Sequence, residues 1–473
     1  MTAIRIGLFG IGLETYWRQF DGLLPRLDGY QRQIADRIRQ AGATLTDVGM
    51  VDTVDKARAA ADDFRRADVS LIFLYVSTYA LSATVLPVVQ RANVPVVVLN
   101  LQPTAAIDYA WFNALGDRGK MTGEWLANCQ ACAVPEIANV FNRAGIPFHQ
   151  ITGTLQDEAA WQAMADWIEA ARVAVGMAQN RVGVLGHYYN GMLDIYSDLT
   201  LQAATFGCHI EHLEMDQLMV CHQTVTPDDI DAKIEAIHQA FTVLDDCPEE
   251  EISRAARTAV ALDKLVAVHR LGSLCYYYEG TAGNANEDLI SSVIAGTSML
   301  TARHVPVAGE YEVKNVQAMK IMDLFGAGGS FTEFYGLDFT DDIVLMGHDG
   351  PGHLAIAEGK PRLKPLGVYH GKPGRGLSVE MTVKHGPVTL LSVVETGDGR
   401  LRLLVAEGES VPGPILEIGN TNSRYRFALG VKAFVDQWCA QGPAHHCAIG
   451  VGRLAGKLAK LGAILKIPVV QIC

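Results

Sequence analysis

Four short stretches of the sequence set carboxylates or imidazoles among glycines: VAGEYEVKN (307–315), GGSFTEFYG (328–336), MGHDGPGH (346–353) and GPAHHCAIG (442–450). Gly, Pro and Asp gather in ordinary polar turns, so no single stretch is specific. Together they offer Glu310, Glu333, His348 and His446, two oxygen and two nitrogen donors within one third of the chain. A carboxylate and imidazole set without thiolate suits Mn²⁺, or Co²⁺ or Mg²⁺, with positions open to water or substrate, better than a closed structural zinc site. The competing reading makes these segments tight turns, with Glu310 capping a helix that begins at VKNVQAMKIMDLF.

The elements that must position these residues are legible in the apolar pattern. Strand-like runs at 4–10, 69–76 and 94–100 alternate with helical segments such as GYQRQIADRIRQAG (29–42), as expected of a doubly wound parallel sheet covered on both faces. A long helix pattern (157–179) leads to RVGVLG (181–186), where the rhythm restarts through 208–215, a helix at 226–241 with Thr226 at its cap, a helix at 250–269 and a strand at 271–278. From about 363 the rhythm changes. Residues 377–411 alternate apolar and polar positions around HGP and TGDGR, which are hairpin signals, and a helix at 430–442 and a strand at KIPVVQIC close the chain. The expected fold is α/β: two doubly wound parallel-sheet domains (1–170 and 171–325) followed by a β-rich, barrel-like domain (326–473).

Composition narrows the function classes. The chain has 473 residues, 49% hydrophobic and 19% charged, with a net charge of -13 and no long basic run. That argues against nucleic acid, whose binding draws on phosphate neutralisation, and against an anionic membrane surface. The N-terminal MTAIRIGLFG passes directly into a strand pattern, and no run of about 18 apolar residues occurs, so a cytoplasmic protein is expected. The Gly10/Gly12 pair lacks the third glycine of a dinucleotide fingerprint. Nine scattered cysteines fit reduced thiols better than a disulfide framework, and CQAC (129–132) sits in a stretch that reads as helical, without evident zinc partners.

In the order AGE, then NVQAMKIMDLFGAGGSFTEFYG, then DDIVLMGHDGP, then GPAHHC, the sequence resembles the L-arabinose isomerases and their L-fucose isomerase relatives. The resemblance extends more weakly to LGDRG (115–119) and to residues 151–171. It implies Glu310, Glu333, His348 and His446 as metal ligands, with the two glutamates also moving a proton. It further implies a homo-oligomer (trimer, tetramer or hexamer) in which the N-terminal domain of one subunit closes the active site of the next, with Glu14, Tyr16, Trp17 and Asp117 reaching the sugar from there. DGPGH after His348 is closer to the fucose isomerases and makes His353 a rival to His348, as His445 is to His446; both are carried as substrate-binding candidates. GIGLETYW (10–17) and LGDR (115–118) depart from the arabinose isomerase pattern, so the sugar-reading residues differ.

The implied activity is a metal-dependent aldose-ketose isomerisation of a free pentose or 6-deoxyhexose through an enediol. The alternatives are a metal-dependent epimerase or lyase on a sugar or sugar acid, and a non-catalytic sugar-binding protein, since two α/β domains also build sugar receptors.

Overall fold

A computed structural model describes residues 4–280, 283–367 and 375–473. The chain divides into two compact units, Met1–Val175 and Gly176–Cys473.

In the first unit β1 (Arg5–Ile11), β2 (Thr44–Val51), β3 (Leu71–Tyr75), β4 (Val96–Gln102) and β5 (Phe148–Thr154) form a parallel sheet in the order β2-β1-β3-β4-β5. The inner strands are the near-continuous apolar runs of the sequence, and the side chains of β3 are buried throughout, as strands covered on both faces require. Phe64, Val85, Ile137 and Phe141, from three different helices, pack with Phe9 of β1 in one core. β2 and β5 lie at the edges and are partly exposed, so they lack the unbroken apolar run that marks the inner strands. The CQAC expectation needs correcting at two points. The helical stretch breaks at residues 128–129 between helices Arg118–Ala127 and Gln130–Arg143, and Cys129 and Cys132 are joined by a disulfide.

The second unit holds two layers of different character. β6 (Arg181–Gly186), β7 (His209–Leu213), β9 (Ser273–Tyr277) and β10 (Val307–Ala308) make a parallel sheet in the order β10-β9-β6-β7, while β8 (Thr242–Val243) pairs elsewhere. Thr226 caps helix Pro227–Ala240 as its sequence suggests: its hydroxyl accepts from Asp229 N, and the Asp229 carboxylate accepts from Thr226 N. The chain then enters an antiparallel barrel built of β11 (Gly328–Asp338), β12 (Ile343–His348), β15 (Gly386–Glu395), β16 (Leu401–Val411), β17 (Thr421–Phe427) and β18 (His446–Val451). Their order is β15-β18-β11-β12-β17-β16, and the β15–β16 pairing closes the ring. β19 (Val469–Gln471) adds to β16 in parallel, and β13 (Arg362–Pro365) and β14 (Leu377–Glu380) form a small sheet with β8. The fold class is therefore α/β with parallel sheets followed by a closed, antiparallel, barrel-like sheet.

Helix Val313–Leu324 links the two layers and packs against β9, β11, β15 and β18. It is buried on all sides, including Lys314, Lys320 and Asp323, which explains a sequence with no clean polar face. Its buried charges are matched locally: Lys320 Nζ lies 2.9 Å from Asp323 Oδ2, and Lys314 Nζ donates to the Asp194 carbonyl.

Candidate metal centre

The barrel register gathers three of the four candidate donors at one end. β11 lies between β12 and β18, and Glu333 on β11 is paired with His446 on one side and with Gly347, next to His348, on the other. Gly347 is demanded by packing, because a Cβ there would come 1.8 Å from the Thr421 carbonyl oxygen. The fourth donor, Glu310, comes from the turn before helix Val313–Leu324. Glu310 and Tyr311 both adopt left-handed backbone conformations, with φ of 58° and 62°. Two successive non-glycine residues held there store local strain at the position that presents a carboxylate to the cluster. The helix cap is Glu312, so Glu310 is free of the capping role offered to it above.

The imidazoles meet edge to edge, with His348 Nε2 3.1 Å from His446 Nε2. Glu310 lies 4.0 Å from His348 Nε2 through Oε1, and 3.7 Å from His446 Nε2 through Oε2. Donor atoms of Glu310, His348 and His446 all fall within 4.8 Å of one another, as do those of Glu333, His445 and His446. His446 Nδ1 is 2.6 Å from Glu312 Oε2; the carboxylate accepts, so Nδ1 carries the proton and the Nε2 lone pair faces the cluster. Phe331 backs both rings, its centroid 4.4 Å from that of His348 and 4.2 Å from that of His446.

These observations fit a divalent ion. Glu310 Oε2 is buried and lies 3.6 Å from His445 Nε2 and 3.7 Å from His446 Nε2, beyond ordinary hydrogen-bond length, so a carboxylate oxygen is left with room for a closer cationic partner. Neighbouring donors around an octahedral ion at ~2.1 Å stand ~3 Å apart, which the imidazole spacing matches.

A cavity of about 240 Å³ opens beside the cluster. Glu310, Glu333, His348 and His445 line its polar side, and Tyr189 and Tyr277, with ring centroids 4.6 Å apart, form an aromatic wall. His445 faces the cavity, and its Nδ1 is 2.6 Å from Asp194 Oδ2, which also accepts from the His445 backbone N at 2.9 Å. Burial opposes charge on this ring, but the carboxylates of Glu310 and Asp194 outweigh it and hold the His445 pKa up at about 9. Burial, with Glu333 and Asp349 nearby, raises the Tyr335 phenol above its ordinary range.

The remaining sequence candidates have contacts of their own. His353 is only 4% exposed and is not in the donor cluster; its backbone N donates to Ser330 Oγ, and burial lowers its pKa to about 4. Glu14, Tyr16, Trp17 and Asp117 belong to the first unit. Glu14 is exposed at the start of helix Glu14–Gln19, and Tyr16 packs edge-on against Phe20. Trp17 Nε1 donates to Asp52 at 2.7 Å, and Asp117 caps helix Arg118–Ala127 by accepting from Lys120 N. Glu312 and Asp194, like Tyr189 and Tyr277 of the aromatic wall, carry no mark in the sequence. Glu312 looks like one more solvated charge in GEYEVKN, and Asp194 reaches His445 across 251 residues, a contact no local pattern signals.

The family model of the L-arabinose isomerase C-terminal domain matches residues 328–468, the barrel and its closing elements. The chain is arabinose-isomerase-like. It is 23% identical over 322 residues to the L-arabinose isomerase of Yersinia enterocolitica serotype O:8, a match covering 64% of this chain and 63% of that protein. The Yersinia pestis (strain Pestoides F) L-arabinose isomerase is 22% identical over the same length and shares. This arabinose-isomerase-like chain thus matches just under two thirds of those relatives' length. A solved structure of Salmonella D-lactate dehydrogenase aligns with 68% of this chain and 95% of its own at 10% identity, with a TM-score of 0.16.

Proposed function

We propose that this protein is a divalent-metal-dependent aldose-ketose isomerase acting on a free pentose or 6-deoxyhexose through an enediol intermediate. The observation that carries the reading is the convergence of Glu310, His348 and His446 in one donor group beside a cavity that Glu310, His348 and Glu333 line. The similarity to L-arabinose isomerases supports the same reaction class.

Glu310, Glu333, His348 and His446 would hold the ion, Mn²⁺ in preference to Co²⁺ or Mg²⁺. When bound, it would supply Lewis-acid polarisation of the sugar's carbonyl and neighbouring hydroxyl. The chain's own groups do the rest. Glu333 and Glu310, on the cavity's polar side, take up and return the proton that shifts between C1 and C2, a contribution of about 10²- to 10⁴-fold. Glu312 keeps the His446 ring oriented, and His445, fixed by Asp194, presents Nε2 to a sugar hydroxyl. Tyr189 and Tyr277 cover the C–H face of the sugar and exclude water.

We further propose a cytoplasmic homo-oligomer (trimer, tetramer or hexamer) in which the first unit of a neighbouring subunit contributes Glu14, Tyr16, Trp17 and Asp117. In that unit Ile107, Tyr109, Trp111 and Trp125 are large apolar side chains left exposed, which favours a protein-covered surface. No helix among the described residues is long and apolar enough to cross a membrane.

The test is Glu333→Gln assayed at saturating Mn²⁺ against a sugar panel. Turnover should fall by at least ~10²-fold with the fold retained. Undiminished turnover in the metal-loaded variant would remove Glu333 from the chemistry and the proposal with it.

A further inference from the structure

The site above leaves one chemically active feature of the first unit unused. Cys129 caps the 14-residue helix Gln130–Arg143, Cys132 lies in its first turn, and a disulfide joins them with Cα atoms 5.6 Å apart. The two sulfurs differ in access: Cys129 is 2% exposed, whereas Cys132 is exposed. A sequence separation of three closes a very short loop, so the bond restrains the unfolded chain far less than a long-range cross-link would, and a purely stabilising role is weakly served. The corner is also tied to the sheet's carboxyl end. Gln130, between the cysteines, is fully buried and donates to the Ser77 carbonyl at 2.8 Å, and Thr78 Oγ1 donates to the Leu126 carbonyl at 2.7 Å. Four of the other cysteines, Cys208, Cys247, Cys275 and Cys447, are buried thiols whose burial raises their pKa and keeps them inert.

We propose that Cys129 and Cys132 form a reversible thiol-disulfide site that exchanges with soluble thiols through the exposed Cys132. An incoming thiolate attacks Cys132 Sγ, the Cys129–Cys132 bond breaks, and Cys129 departs with the electron pair as a thiolate beside the unpaired N–H groups of the helix's first turn. A second thiol attacks the mixed disulfide at its external sulfur and releases Cys132. In sum, two thiols become one external disulfide, and two electrons and two protons pass to the protein. A disulfide such as oxidised glutathione drives the reverse.

The test equilibrates the full-length, folded protein with graded ratios of reduced to oxidised glutathione, traps free thiols by alkylation and quantifies the peptide spanning 129–132 by mass spectrometry. The dithiol-to-disulfide ratio should rise tenfold for each tenfold rise in the squared concentration of reduced glutathione divided by the concentration of oxidised glutathione, and should return on reoxidation. Cys129→Ser should take one glutathione on Cys132, and Cys132→Ser should take none on the buried Cys129. A pair that stays bonded at every ratio until the protein is denatured, or that is alkylated at every ratio, overturns the proposal. The opposite adduct pattern overturns the assignment of Cys132 as the point of attack.

Discussion

His353 gives a prediction whose size follows from its surroundings. Burial pushes its pKa from the usual 6.5 to about 4, with His304 acting in the same direction and Asp323 opposing it. The folded form is therefore the weaker proton binder. Below about pH 6.5 the unfolded chain takes up a proton that the folded chain refuses, so this contribution is fully present above that pH and is lost as pH falls towards 4. Taking 6.5 and 4 for the two states, the loss relative to pH 8 is about 2 kcal/mol at pH 5 and about 3 kcal/mol at pH 4. Other groups titrate over the same range, so the contribution is read by difference. Urea denaturation of the wild type and of His353→Gln at pH 8, 6 and 5 should show the variant weaker by a constant amount at high pH, with the gap narrowing by about 2 kcal/mol at pH 5. A gap that stays constant over that range would show that His353 is not held neutral in the fold and would refute the reasoning.

The other predictions concern the cluster directly. Glu312→Gln should weaken Mn²⁺ binding by about 10- to 100-fold with the fold intact, read by isothermal titration calorimetry; unchanged affinity would detach Glu312 from the orientation of His446. Mn²⁺ at 100 times its dissociation constant should stabilise the protein by about 2.7 kcal/mol, and a chelator should abolish the gain, both read from denaturation midpoints. Phe331→Ala removes a ring that is 1% exposed and backs both imidazoles; it should cost roughly 3–5 kcal/mol of stability, and a loss below 1 kcal/mol would contradict the packing described.

Much of the scaffold was legible because burial on both faces leaves an unbroken apolar run, as in β1, β3 and β4, and because hairpin chemistry marks the turn between β15 and β16. The half-exposed edge strands β2 and β5 carry no such run, and β11 was visible only as a motif because its glycines and polar residues mask a strand pattern. The four donors could be picked out by type and flanking glycines. That Glu333, His348 and His446 come side by side depends on β11 lying between β12 and β18, a pairing that includes a long-range partner sequence order does not encode. Glu312 and Asp194 were missed for the same reason: their roles exist only through contacts with His446 and His445, 134 and 251 residues away. The Cys129–Cys132 bond was within reach of spacing alone, and the surplus of unpaired cysteines obscured it.

The central claim is enediol chemistry at the Glu310, Glu333, His348 and His446 cluster. The most direct test is solvent deuterium incorporation followed by NMR, with Mn²⁺-loaded protein, a panel of aldopentoses, 6-deoxyhexoses and their ketoses, and a chelator-treated control. Metal-dependent exchange at C1 or C2 of one sugar, lost in Glu333→Gln, is the result predicted. No exchange with any sugar in protein shown to hold the ion would contradict the account.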